Sequence, residues 1–336
     1  MSLARFAALE QPAAFRNAFP LSPRKHDYIR LAHASDAAEL EKFLRGPAEC
    51  IQLTPGRYAG AMLCADIGPF TLLEHASNRG IQLRWSIEPD AVVIGYLNGS
   101  VGILQGRPWV SDDFVILKGA QLDLSTLSNS DIVWLQLNLR LANESQRAVF
   151  DRVPNGEAFF VSTQTEGFAN LCEYVAEVFG TSQTSPVPTG TSSEIEAGLT
   201  ARLAAALEPD SKKSVDGERR SLSLVRRVER FMWQNVEEPL TLDRICEEMG
   251  CRMRSLIYSF KDSFGVGPMT YLKIRRLNAA RRKLKATRGQ VRIFDVAADF
   301  GFWHMGHFSA DYKRMFGTTA SETVSYNPYS GRRRRK

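Results

Sequence analysis

GFWHMGHFSADYKRMFG, residues 301–317, is the stretch from which the rest of the chain can be read. Two histidines three residues apart raise the question of a metal. His304 and His307 supply at most two ligands, however, where zinc takes three or four. The other histidines, His26, His33 and His75, all lie far upstream, and no His/Glu cluster accompanies them, so neither a metal nor a cofactor is expected. On a wheel of 3.6 residues per turn, Phe308, Tyr312, Met315 and Phe316 share one side and read as core. The opposite side presents Trp303, Gly306, Ala310 and Lys313, with His307 on its flank. His304 stands at the helix start, where it is expected to help cap it.

The pattern occurs twice. Phe260-Lys261-x-x-Phe264-Gly265 returns 52 residues later as Tyr312-Lys313-x-x-Phe316-Gly317. Upstream of each copy lies a short amphipathic helix, with Leu242, Ile245, Cys246 and Met249 in one and Ile293, Val296, Ala297 and Phe300 in the other. Thr241 is a plausible N-cap for the first, and Gly250 and Gly301 follow the two helices. A repeat of this size is two copies of one supersecondary unit. Helix, tight turn and second helix make a helix-turn-helix, whose second helix enters the DNA major groove. In the first copy Met253, Leu256, Phe260 and Phe264 are expected inward, and Arg254, Tyr258 and Lys261 outward, with Ser255 beside them. Arg254 offers a fork that can pair with guanine, whereas Gly306 and Ala310 permit close approach but few hydrogen bonds. The first copy is therefore expected to discriminate bases and the second to supply position and shape. Arg252 and His304, which open the two helices, complete the candidate contacts. Between the copies, PMTYLKIRRLNAARRKLKA (268–286) starts on a proline and reads as a long basic helix, with Leu272, Leu277, Ala280 and Leu284 on one side.

Charge separates the chain into halves. From Ser211 to Lys336 there are 27 Lys and Arg against 13 Asp and Glu, a net of +14, whereas the first 210 residues carry −8. A basic module seeking a polyanion is thus joined to an acidic one. Residues 181–194, TSQTSPVPTGTSSE, read as linker. Between Ile51 and Leu139, short apolar runs such as 91–97, 101–104, 113–119 and 131–139 alternate with turn signals, which predicts antiparallel strands in a barrel or sandwich. AELEKFL (38–44), ANLCEYVAEVF (169–179) and SSEIEAGLTARLAAALE (192–208) are predicted helical. The five cysteines contain no C-x-x-C. With no secretory signal or spanning segment, they suggest a reduced, cytoplasmic protein that does not enter a membrane.

Residues 222–325 resemble the AraC/XylS family of bacterial transcription regulators. The resemblance rests on PLTLDRICEEMG, FKDSFGVGPMTYLKIRRLNAARRKL and VRIFDVAADFGFWHMGHFSADYKRMFG. Within the family, GFWHMGHFSADYKRMFG and PMTYLKIRRLNAARR look most like regulators of the ethanolamine-utilisation type. Arg252 departs from the small hydroxyl residue usual at that helix start, and Ala320 stands where a proline is expected. The resemblance implies an α+β two-domain protein. Residues 1–180 would form a β-rich, cupin-like effector-sensing and dimerisation domain with flanking helices, and 181–214 a linker with helix 192–208. Residues 215–325 would be an all-α module of two helix-turn-helix units joined by a long helix, and 326–336 a basic tail.

The function so implied is a sequence-specific transcriptional regulator, an activator responding to a small molecule and not an enzyme. Its partners would be double-stranded DNA, an effector, RNA polymerase and a second copy of the chain as a homodimer. Arg57, Glu74, Trp85, Tyr96 and Trp109 are the effector-pocket candidates, because a small polar ligand takes a few polar groups among aromatics. Two other functions remain in play: a DNA-targeted enzyme, such as a repair alkyltransferase using Cys50 or Cys64, and a ligand-independent architectural protein that binds DNA without sequence preference.

Overall fold

Strand signals dominate the first half of the sequence and helical periods the second, and the structure, a computed structural model, divides accordingly. It describes residues 29–97, 101–110, 113–151, 153, 155–156, 158–162, 170–171, 173–175, 178, 192–207, 212–214, 220–287 and 289–325. Most of the expected linker, the basic tail and Cys172 lie outside the described residues. One unit comprises Met1–Ile51 with Tyr58–Arg219, and the other Gln52–Arg57 with Arg220–Lys336.

The first unit is built on strands β1 (Ile29–Ala34), β2 (Ala48–Gln52), β3 (Gly60–Ile67), β4 (Phe70–Ser77), β5 (Ile81–Ser86), β6 (Ala91–Leu97), β7 (Val101–Leu104), β8 (Arg107–Val110), β9 (Asp113–Lys118), β10 (Gln121–Thr126), β11 (Ser130–Asn138), β12 (Ala158–Ser162) and β13 (Lys212–Ser214). They form an eight-stranded sheet in the order β1-β3-β4-β11-β6-β9-β12-β13 and a five-stranded sheet in the order β2-β5-β10-β7-β8. The runs predicted at 91–97 and 101–104 are strands with those bounds, and the other two differ by one residue at their ends. Strands also occur outside 51–139, in β1, β12 and β13. The segment expected as helix 38–44 is a 3-10 helix, Ala37–Phe43, capped by the Asp36 carboxylate accepting from the Ala38 N–H.

One core of the unit gathers residues from both sheets, among them Met62, Leu73, Trp85, Val93, Trp109, Leu122 and Trp134. The second lies on the far face of the larger sheet, where helices α1 (Glu144–Val149) and α2 (Ser192–Ala206) cover Leu63, Leu72, Ile94, Ile116 and Leu135. Helix α2, read from sequence as part of the linker, buries Ile195, Leu199 and Leu203 in that second core. The described residues at 170–171, 173–175 and 178 are helical, and Leu171, Val175 and Val178 pack there too. A sheet covered on both faces loses the apolar–polar alternation of a one-sided one. Every residue of β4 is accordingly buried, as are all but the last of β11.

In the second unit, α3 (Arg220–Gln234), α4 (Leu242–Met249), α5 (Met253–Phe264), α6 (Pro268–Thr287), α7 (Ile293–Asp299), α8 (Met305–Phe316) and α9 (Ala320–Ser325) follow one another. Helix α6 is the predicted basic connector. It begins on Pro268, where a missing N–H costs nothing, and buries Tyr271, Leu272, Ile274, Leu277, Ala280 and Leu284. Helices α5, α7, α8 and α9 all pack against it.

Candidate nucleic-acid interface

Two helix pairs, α4–α5 and α7–α8, carry the candidate site, and their second helices, α5 and α8, span positions 52 residues apart along their whole length. Each of these two helices ends on a left-handed glycine. Gly265 (φ 70°) donates to the Lys261 carbonyl and Gly317 (φ 66°) to that of Lys313, both at 2.8 Å. Only glycine adopts that backbone at little cost, which accounts for the repeated Phe-Gly.

Aromatic anchors hold both helices. Phe260 and Phe264 of α5 contact Tyr271 of α6, the second pair stacking at 4.2 Å between centroids. The Tyr271 hydroxyl donates to the buried Glu229 carboxylate on α3. In α8, Phe308, Tyr312 and Phe316 form a ladder that Phe302 extends, and the Tyr312 hydroxyl donates to Thr323 at 2.9 Å. The Arg281 guanidinium of α6 lies 4.6 Å from the Phe316 ring centroid. These rings, each worth about 3–5 kcal/mol when cut to alanine in a core, fix which side of each helix can face outward.

All ten residues singled out from sequence are exposed: Arg252, Arg254, Ser255, Tyr258 and Lys261 in the first copy, and His304, Gly306, His307, Ala310 and Lys313 in the second. Trp303, 63% exposed, extends the second surface. Asp311 would set a negative charge among these groups, but it is offset by Lys273 of α6 at 3.0 Å and by Arg314 on its own helix.

The structure corrects two expectations. Met253 is 39% exposed rather than inward, and Ser259 and Ser263 complete the buried side of α5. His304 occupies the N-cap position of α8, but its side chain makes no capping hydrogen bond. Arg252 likewise stands at the N-cap of α5 with no side-chain cap, as its departure from a hydroxyl residue implies. His304 and His307 have ring centroids 6.0 Å apart, and no group of three metal-ligating side chains occurs among the described residues.

The five effector candidates do not come together as one set; only Trp85 and Trp109 share a place. Trp85 and Trp109 lie in the core between the sheets, each against Trp134, at 6.0 and 5.8 Å between centroids. Glu74 pairs across the strands with Leu63 and Val133, residues of the second core, so it faces the helices instead. Tyr96 packs into that second core as well, against Phe114. Arg57 belongs to the helical unit.

Sequence reading missed another set of groups. His75, Trp134 and Gln136 alternate with the second-core positions of β4 and β11 and so point between the sheets. Among the described residues the His75 Nδ1, the Trp134 Nε1 and the Gln136 Nε2 are buried with no hydrogen-bond partner. The His75 Nε2 is 2.9 Å from the Tyr58 hydroxyl, and burial lowers the imidazole pKa to about 4, keeping the ring neutral. No signal in the sequence marks them, since strands buried on both faces hide which side a residue takes. Cys50 and Cys64, the thiols an alkyltransferase would need, are both buried.

A helix-turn-helix domain family matches residues 245–325. A probable thc operon regulatory protein of Rhodococcus erythropolis is 33% identical over 107 residues, 32% of this chain and 32% of that protein. A XylDLEGF operon transcriptional activator of Pseudomonas putida is 35% identical over 100 residues, 30% of this chain and 64% of that protein. The chain thus spans a third to under two thirds of the length of these relatives. The crystal structure of the AraC-like transcriptional activator CuxR is 13% identical, covering 80% of this chain and 100% of that one with a TM-score of 0.40, a likeness too loose to bear on function. No helix among the described residues is long and apolar enough to cross a membrane. With its repeated helix pairs, glycine stops and outward polar faces, the helical module is a helix-turn-helix domain similar to those of AraC/XylS-type operon regulators.

Proposed function

We propose that the chain is a sequence-specific DNA-binding transcriptional regulator, an activator whose β-rich unit senses a small molecule. The observation that carries this reading is the exposure of all ten candidate DNA contacts on helices whose opposite sides are locked by aromatic rings. The net +14 of residues 211–336 supplies the sequence-independent attraction to phosphate, and Arg254 with Tyr258 the discrimination between bases. Gly306 and Ala310 let α8 lie close to the duplex. The printed names of the relatives, operon regulators and activators, support the same role.

An effector would act by shifting populations, and only through different affinities for the two states. The two unpartnered N–H donors between the sheets, on Trp134 and Gln136, with the His75 Nδ1 beside them, favour a ligand rich in acceptor oxygens seated among Trp85, Trp109 and Trp134. Dimer formation and contact with RNA polymerase belong to the same proposal.

Binding of the full-length protein to a selected duplex and to its scrambled counterpart across a salt series tests the reading. A regulator keeps a preference of at least a thousandfold, on the order of that found for specific complexes. An architectural protein shows the salt slope alone, with no preference between the two.

A further inference from the structure

The turn between α4 and α5 places two thiols side by side. Gly250 is left-handed (φ 61°), its N–H donates to the Glu247 carbonyl at 3.3 Å, and the Cys251 N–H donates to the Cys246 carbonyl at 3.1 Å. This is the double hydrogen bond with which a helix closes on glycine. It brings together the side chains of the residue after the glycine and the residue five before that. The repeat shows what those positions ordinarily hold. In the second copy Gly301 donates to Ala298 and Phe302 to Ala297, so the touching pair is apolar. In the first copy the same two positions are Cys246 and Cys251. Their thiols lie within hydrogen-bonding distance of each other.

Both thiols are half-buried, within reach of a small oxidant, whereas Cys50 and Cys64 are closed off. Burial, then the neighbouring Cys251 and the carboxylates of Asp243 and Glu247, push the Cys246 thiol above its usual pKa.

We propose that Cys246 and Cys251 are a modification site, oxidised by a peroxide to a reversible disulfide that locks the turn of the first helix-turn-helix. The Cys251 sulfur attacks one peroxide oxygen, the O–O bond breaks, and a sulfenic acid forms as the other oxygen takes up the proton of the Cys251 thiol and leaves as water. Cys246 then gives up its proton, its sulfur displaces the hydroxyl from Cys251, and a second water departs. Two thiols lose two electrons and the peroxide gains them. The bond draws the two sulfurs from contact distance to bonding distance, immediately before Arg252 and three residues before Arg254. The consequence for DNA rests on the reading of α5 as a recognition helix, whereas the chemistry of the pair does not.

Full-length protein is treated with hydrogen peroxide, blocked with iodoacetamide and digested with trypsin, which releases both cysteines in the single peptide Ile245–Arg252. The expected peptide is lighter by two hydrogens, carries no alkyl group and returns to the dialkylated form after dithiothreitol. Two alkylated thiols, independent sulfinic acids, or a disulfide to any other cysteine would overturn the proposal. Oxidised protein is also expected to bind a selected duplex several-fold more weakly, an effect reversed by dithiothreitol and absent in Cys246→Ser. Equal affinity of the oxidised and reduced protein would overturn the coupling to DNA. Failure of the reduced protein to prefer any duplex would count against the recognition-helix reading, and the peptide would still judge the thiol pair.

Discussion

The Arg254 guanidinium lies over the ring of Tyr258 one helical turn along α5, 5.4 Å from its centroid, with both side chains exposed. Stacking of this kind narrows the orientations open to a long side chain and costs it less entropy on binding. Arg254→Ala is expected to lose about 1–3 kcal/mol on the preferred duplex and to relax one base position. Anisotropy titrations on duplexes varied at single bases check this. Equal weakening on every duplex would make Arg254 a phosphate contact.

Phe308 is fully buried at the centre of the α8 ladder. Phe308→Ala is expected to destabilise the helical module by about 3–5 kcal/mol, the range for a large core ring cut to alanine. Urea unfolding followed by far-UV circular dichroism reads this directly, and duplex preference should vanish with the fold of α8.

A side chain added at Gly250 would meet nothing within 4 Å, so any cost there comes from the backbone alone. Gly250→Ala is expected to destabilise by about 1–2 kcal/mol, because a Cβ crowds the following carbonyl in the left-handed region. A change close to zero would show that the turn relaxes to another conformation.

His75 gives the β unit a defined acid sensitivity. Unfolded, the imidazole protonates near 6.5, and folded it does so near 4, because burial opposes the charge. Between those values the unfolded chain holds more protons, so stability falls as pH drops from 6.5 towards 4, by roughly 3 kcal/mol in all. His75→Gln is expected to flatten the pH slope of the unfolding free energy in that window, compared with the parent protein. An unchanged slope would mean that the folded protein admits the proton.

The helical module was legible because each of its signals is local. The glycine after each short helix, Pro268 at the start of α6 and the 52-residue echo of Phe-Gly all reappear as caps and element ends. Met253 escaped because one turn of a wheel cannot say how far a neighbouring helix covers the first residue of α5. The β unit was legible only as strands. Glu74 and Tyr96 carry no mark of their face, since both sides of the larger sheet are apolar. β12 and β13 pair residues more than fifty positions apart in sequence, which no local pattern encodes. Trp134 gave no sign of its neighbour Gly95, where a Cβ would run into the indole ring. Such a close approach depends on strand register, which only the assembled sheet settles.

Selection of bound sequences from random duplex DNA by the full-length protein tests the central claim most directly. Two recognition helices laid in successive major grooves are expected to enrich two short motifs about one helical turn, roughly 10 base pairs, apart, with the guanine read by Arg254 in one of them. Enrichment of no motif, or of one that persists unchanged in an Arg254→Ala, Lys313→Ala double variant, would contradict it.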